Sequence, residues 1–301
     1  MIGRTQRHAT MQRDLVTPPR QQREVVLVPL DGSPAGATIL PVAEAIARVL
    51  NAMVHLVCPA GAPFDELLSS ANLRSKMLRG KVIHQVDEPL TAALLRLTQE
   101  WVRGMIATST HRRVLEAPRV LDELAQEVLL SATCPVLFLR PELGPRFANF
   151  KGPRRILLPL DGVPSTAGGL VPAVELVRRS GAELDVLHVV VTGKPRCEEK
   201  GTLTTPRYVD SAAHEWVPWT QEFLNRFCYC LGQCPSTVKM RLFMGAGDPG
   251  QEILRIAEER RSDLIILVWR GRLDLDHAIT AQAVLRGAQC PTLFLRAVPA
   301  L

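Results

Sequence analysis

The sequence predicts two tandem α/β domains, each a parallel sheet with helices on both faces, because it says the same thing twice. VLVPLDGSP at Val26 to Pro34 returns as LLPLDGVP at Leu157 to Pro164, and CPVLFLR at Cys134 to Arg140 returns as CPTLFLR at Cys290 to Arg296. The opening motifs lie 130 residues apart and the closing motifs 156, so the second copy carries 26 additional residues between its ends. Such self-similarity fixes the domain count before any propensity is weighed. Within each copy, apolar runs alternate with helical patterns, which implies right-handed crossovers between parallel strands. The 301 residues divide into a basic tail at 1–22, a first domain at 23–140, a linker at 141–153 marked by Pro141, Gly144, Pro145, Gly152 and Pro153, and a second domain at 154–301.

In the first copy Val25 to Leu30 is a continuous apolar run that ends in Asp31 and Gly32, the pattern of a strand buried on both faces. Ser33 and Pro34 start a helix, since a capping Ser followed by Pro at the first turn is a favourable entry. Ile39, Leu40, Ala43, Ile46, Ala47 and Leu50 form its apolar face before Asn51 ends it. A strand at Val54 to Val57 follows, then a helix at Phe64 to Leu78, a strand at Val82 to Val86 and a helix at Leu90 to Val102. Gly104 to Thr108 is a strand, Val120 to Ser131 a helix, and Cys134 to Leu139 a fifth strand. The second copy repeats this order. Strands fall at Ile156 to Leu160, Leu184 to Val191, Val238 to Met244, Leu264 to Val268 and Thr292 to Arg296. Helices fall at Ser165 to Arg179 (closed by Gly181), Tyr208 to Leu231, Pro249 to Arg260 and His277 to Gly287. Pro218 bends the long helix or marks a late start.

Composition bounds the function classes. With 47% hydrophobic and 22% charged residues, and no apolar run near the ~18 residues a membrane span needs, the chain reads as globular with no membrane partner. No secretory apolar region is visible at the N-terminus. Seven cysteines spread through apolar runs fit reduced thiols, so the expected location is the cytoplasm. Of the net charge of +6, the first 23 residues supply +4, with Arg4, Arg7, Arg13, Arg20 and Arg23 against Asp14. The body is nearly neutral, which gives no support for nucleic acid as a partner, and the tail reads as disordered.

Strand, Pro, Leu, Asp, Gly, Ser at the start, Gly247, Asp248 and Pro249 before a helix, SDLIIL at Ser262 to Leu267, and CPxLFLR at the end together resemble the universal stress protein family. Both halves resemble it over nearly their whole length, with the opening and closing motifs present twice and in the family's order. The resemblance implies two Rossmann-like domains of the adenine nucleotide α-hydrolase-like type. Each would be a five-stranded parallel sheet in order 3-2-1-4-5, with a crevice between the ends of strands one and four. It also implies that the two domains pair through their fifth strands, which would cover apolar edges. A homodimer and an unknown regulatory protein are the further partners it suggests.

Members of the family that hold ATP resemble GxxGx9G(S/T) after strand four, where backbone N–H groups meet the phosphates. In the first copy Thr108 and His111 stand at the first two glycines and Asp122 and Glu123 at the final pair, so all three glycines are gone. The second copy has Val268, Gly271, Ala278 and Ile279 there, and keeps one glycine. Its loop offers Arg270, Arg272 and His277 as cations against Asp274 and Asp276. The candidate cofactor-binding residues are Asp161, Gly162, Val268, Arg270, Gly271, Arg272, Ala278 and Ile279, with Asp31 and Gly32 in the first copy. Asp31 and Asp161 match the family aspartate near ribose or adenine, yet both also end a strand before a helix, where capping explains them. Asp248 before Pro249 reads as a cap too, and Val86 to Pro89 is its first-copy counterpart.

Cys228, Cys230 and Cys234, with Cys197 and His214 nearby, are weak candidates for zinc. Cys228 and Cys230 point to different sides of a helix, and no CxxC pair is present. Buried structural cysteines are the plainer reading, as they are for Cys134 and Cys290. Trp216 and Trp219 read as core or interface. No catalytic constellation is visible: GxSxG, HExxH and GxxxxGK(S/T) are all missing. The expected function is therefore a non-enzymatic stress-response protein whose nucleotide sites have degenerated and which acts through protein contacts. An ATP or AMP sensor using the second domain alone, and a metal or redox sensor using the cysteine cluster, are the alternatives. No cofactor is expected, with ATP in the second domain the exception to test.

Overall fold

The structure, a computed structural model, describes residues 21–61, 66, 69, 75–110, 121, 123–163, 166, 169–190, 238–271 and 275–297. The expected tail, the Trp216 and Trp219 pair and the Cys228, Cys230 and Cys234 cluster lie outside those residues. So do the long helix of the second copy, most of the Phe64 to Leu78 helix, and His111, Asp122 and Arg272.

The first half runs β1 (Gln21–Pro29), α1 (Pro34–Leu50), β2 (Met53–Pro59), a 3-10 turn at Ser75–Leu78, β3 (Val82–Val86), α2 (Leu90–Gln99), β4 (Trp101–Ser109), α3 (Glu123–Ser131) and β5 (Val136–Leu139). A 3-10 turn at Pro141–Leu143 and the short α4 (Gly144–Phe147) lead to the second half. That half comprises β6 (Arg155–Pro159), α5 (Leu170–Ser180), β7 (Glu183–Val190), β8 (Met240–Ala246), α6 (Pro249–Glu259), β9 (Leu264–Trp269), α7 (Leu275–Gly287) and β10 (Thr292–Arg296). The ten strands among the described residues join one sheet in the order β3-β2-β1-β4-β5-β10-β9-β6-β7-β8. Each half therefore has the order 3-2-1-4-5 and is parallel within itself. The halves meet where β10 pairs antiparallel with β5, Leu293 opposite Leu137. This reverses the strand direction between halves, so the two sets of carboxyl-terminal strand ends face opposite edges of the sheet.

The central strands are buried on both faces: Val25 to Val28, Ile156 to Leu158 and Leu264 to Ile266 are each at most 1% exposed, as expected for strands sandwiched between helix layers. At the seam Phe138 and Phe294, the same position of the repeated motif, stack edge to face at 5.6 Å. Helix ends follow local chemistry. Asn51 closes α1 and Gly181 closes α5, both left-handed, with φ of 56° and 69°.

Several expectations shift. The first strand begins at Gln21, four residues before the predicted Val25, because Gln21 pairs with Trp101 across a bulge. The helix predicted through Val102 stops at Gln99, since Trp101 and Val102 are better strand formers and β4 needs that length to match β1. The stretch expected to be a plain linker is folded: Leu143 and Phe147 are buried against the first half.

Candidate functional site

In the second half, β6 and β9 pair side by side, Ile156 opposite Leu264, and the candidate crevice lies beyond their carboxyl ends. Asp161 and Gly162 follow β6, and Arg270 and Gly271 follow β9. The fold thus brings Asp161 and Arg270 together, with Arg270 Nη2 3.8 Å from Asp161 Oδ2. The other Asp161 oxygen, Oδ1, accepts the Val163 N–H at 3.0 Å and the Thr166 hydroxyl. This is a turn-closing role, and Asp31 repeats it by accepting the Ser33 N–H at 2.9 Å. The cation that would meet a phosphate is thereby directed at the aspartate that would meet a ribose.

The glycine positions are filled from within. Val268 stands where the resemblance puts the first glycine, and a Cβ built on Gly169 would lie 2.1 Å from its Cγ2. Gly271 keeps a left-handed φ of 74°, and the Arg296 guanidinium lies against it, 1.8 Å from where a Cβ would stand. Arg296 is held over the Trp269 ring at 5.8 Å and donates to the Leu130 carbonyl of the first half. Ala278 and Ile279 were expected at the start of the next helix, where free N–H groups could meet an anion. Helix α7 begins at Leu275 instead, so they fall about a turn inside it, and Ile279 is 47% exposed. The first-half crevice keeps Asp31 and Gly32 at the end of β1, and beside it the hydroxyls of Thr38 and Ser109 are 2.9 Å apart. Strand register makes Ser109, rather than Thr108, the counterpart of Val268: Ser109 pairs with Leu139 as Val268 pairs with Leu295.

The capping expectations divide. Asp248 is a true cap, its carboxylate accepting the Gln251 N–H at 2.9 Å. Its first-copy counterpart is not, because Pro89 occupies the N-cap of α2 and Glu88 pairs with Arg96 at 2.7 Å. Ser33 stands at the N-cap of α1 without a side-chain cap, and its hydroxyl is buried and finds no partner among the described residues.

Sequence reasoning missed a pair of histidines on neighbouring strands. His55 of β2, 3% exposed, has its Nδ1 2.9 Å from Nε2 of His84 on β3, and the Trp101 ring stands edge-on at 5.0 Å. Burial and the neighbouring His84 push the His55 pKa down to about 4. Its only sequence signal was a polar residue at a core position of the apolar run at Met53 to Pro59. No group of three or more His, Cys, Asp or Glu residues able to hold a metal occurs among the described residues. Burial pushes the Cys134 thiol up to about 11 and that of Cys290 to about 12, so both are protonated and inert near neutral pH.

Residues 152–296 match the model of the Universal stress protein family. The second half of the chain is a universal stress protein domain. The universal stress protein fold also extends over both halves. A universal stress protein from Archaeoglobus fulgidus is 15% identical and superposes with a TM-score of 0.57, over 91% of this chain and 97% of that one. A functionally unknown protein from Pseudomonas aeruginosa PAO1 is 18% identical with a TM-score of 0.58, covering 91% of this chain and 92% of that one. A putative universal stress protein from Pseudomonas aeruginosa UCBPP-PA14 is 17% identical with a TM-score of 0.54, over 92% and 94%. At such identities the likeness establishes the fold. Among curated proteins none matches the chain. Among the described residues no helix is long and apolar enough to cross a membrane.

Proposed function

We propose that the protein is a non-catalytic, cytoplasmic stress-response regulator whose nucleotide crevices no longer take ATP and which acts by contact with other proteins. The observation that carries this reading is that, among the described residues, side chains of the chain itself stand in the second-half crevice. Arg270 is turned to Asp161, Val268 packs on Gly169, and the Arg296 guanidinium sits on Gly271. Phosphate binding at such a loop needs backbone N–H groups that can be approached closely, and these contacts occupy that approach. Calorimetric titration with ATP and magnesium tests the reading: no heat of binding up to millimolar ATP is expected, and a dissociation constant below about 100 µM overturns it.

One observation favours a second reading, an ATP sensor confined to the second half. Gly162 and Gly271 both keep left-handed backbone, with φ of 79° and 74°, and Asp161 stays 52% exposed. Substitution of Gly271 is a poor test, because any side chain is strained at that φ whether or not a nucleotide binds. Arg270→Ala is cleaner: it should weaken ATP several-fold if the crevice is used, and change nothing if it is not.

A further inference from the structure

The segment that joins the halves shows what one face of this fold can hold. Along α1, Thr38, Val42, Ala45 and Val49 form a stripe at helical spacing. Gly144 packs on Thr38 and Gly152 on Val49. Leu143 and Phe147, four residues apart, are buried, and Val42 and Ala45 are 0% exposed. Arg146 ties the segment to the opposite half by donating to the Gln289 carbonyl at 3.2 Å.

Helix α5 is the counterpart of α1, 130 residues on from Asp31 and Asp161 at the entry to Asn51 and Gly181 at the exit. The counterpart stripe carries Pro172, Glu175 and Arg179, and no comparable segment among the described residues lies over it. A cleft of about 410 Å³ opens there instead, between α5 and the first half. Val25, Met105, Leu176, Leu293 and Leu295 supply apolar lining, and Trp101 and Val102 of the first half and Pro172 and Glu175 of α5 line it too. Thr133, the counterpart of Gln289, also lines it. Val102 is 50% exposed, and Val171, beside Pro172, is 49% exposed. At the rim Arg103 bonds both oxygens of Glu175 at 2.9 and 2.7 Å, and Arg179 bonds Glu175 at 2.6 Å and Glu24 at 3.2 Å. Two cations and two anions cancel, so the cleft selects for apolar shape rather than charge.

We propose that this cleft docks a short peptide segment of a partner protein with the chemistry of the joining segment: one helical turn that presents two large apolar side chains four residues apart. The inference rests on the reading that the protein acts through protein contacts, and gives those contacts a place. The probe is a fluorescein-labelled synthetic peptide of residues 141–150, PELGPRFANF, titrated with full-length protein by fluorescence anisotropy. Saturable binding with a dissociation constant below about 100 µM is expected. Val102→Glu and Pro172→Glu, both at exposed positions, should each weaken it at least tenfold while leaving the circular dichroism unchanged. A peptide with Ala at the Leu143 and Phe147 positions should not bind. Absence of binding at 1 mM peptide, or binding indifferent to both substitutions, overturns the proposal. So does uptake of the neutral dye N-phenyl-1-naphthylamine in place of the peptide, which assigns the cleft to a small apolar ligand. A sedimenting dimer that Val102→Glu dissociates, without peptide binding, overturns it in favour of a second copy. The ATP titration is independent: a failed peptide removes this surface, whereas bound ATP removes the closed crevice.

Discussion

Two buried polar pairs show how single residues set the conditions under which this fold is stable. His55 is neutral in the native state, because burial and His84 lower its pKa to about 4, and burial lowers that of His84 as well. The unfolded chain takes up the protons near the ordinary value of 6.5, so stability is fully present above that pH. It is lost progressively as pH falls toward 4. Urea midpoints at pH 7.5 and 4.5 should therefore differ, and His55→Leu should flatten the difference; an unchanged pH slope would remove the histidines as its source. Asp185 is 0% exposed, with Arg260 Nε 3.1 Å from its Oδ2 and the Phe243 ring beneath the guanidinium at 5.0 Å. Arg260→Met leaves a buried carboxylate without its cation and should cost about 3 kcal/mol by urea denaturation, with part of the loss recovered when Asp185→Asn is added. Neither pair could be read from the sequence. A lone histidine or aspartate in an apolar run gives no sign of which residue on another strand will face it.

At the scale of elements, the repeated CPxLFLR motif turns out to be reciprocal. Its last residue in the first half, Arg140, donates to the Ala288 and Arg286 carbonyls at the end of α7. Its last residue in the second half, Arg296, donates to the Leu130 carbonyl at the end of α3. Each arginine thus satisfies a helix C-terminus in the other half, where exposed carbonyls and the helix dipole favour a cation. Arg140→Met should cost about 1–2 kcal/mol and Arg296→Met somewhat less, as it makes one such bond rather than two. Amide exchange in the last turn of α7 or α3, respectively, should rise, and an unchanged exchange pattern would count against the caps. Most elements were legible in the sequence because a parallel sheet writes its strands as continuous apolar runs. The boundary between α2 and β4 was not. Trp101 and Val102 fit a helical apolar face as well as a strand, and only pairing of Trp101 with Gln21 decides between them. The crevice was half legible. Loss of the glycines could be counted, but the Arg296 that fills the space at Gly271 lies on a different strand, 25 residues away.

For the whole molecule, the single ten-stranded sheet makes the two halves one mechanical object. With Phe138 and Phe294 buried at the seam, the chain should unfold in one urea transition. Leu293→Asp, which places a charge in that seam, should separate it into two transitions by fluorescence and circular dichroism; a single shifted transition would mean that the halves are not independently stable. The pairing of β5 with β10 also has a consequence for synthesis. Phe138 and Thr292 pair although they lie 154 positions apart in the chain, and at about 5–20 residues per second a ribosome takes roughly 8–30 s to supply the partner strand. During that interval the nascent first half can finish four of its strand pairings while Val136 to Leu139 remains an open apolar edge. Two ribosomes on one message would hold such edges close together, so the joining of nascent chains through β5 competes with intramolecular closure. Lowering polysome density should then raise the yield of correctly closed chain, which size-exclusion chromatography of protein expressed at graded initiation rates would check.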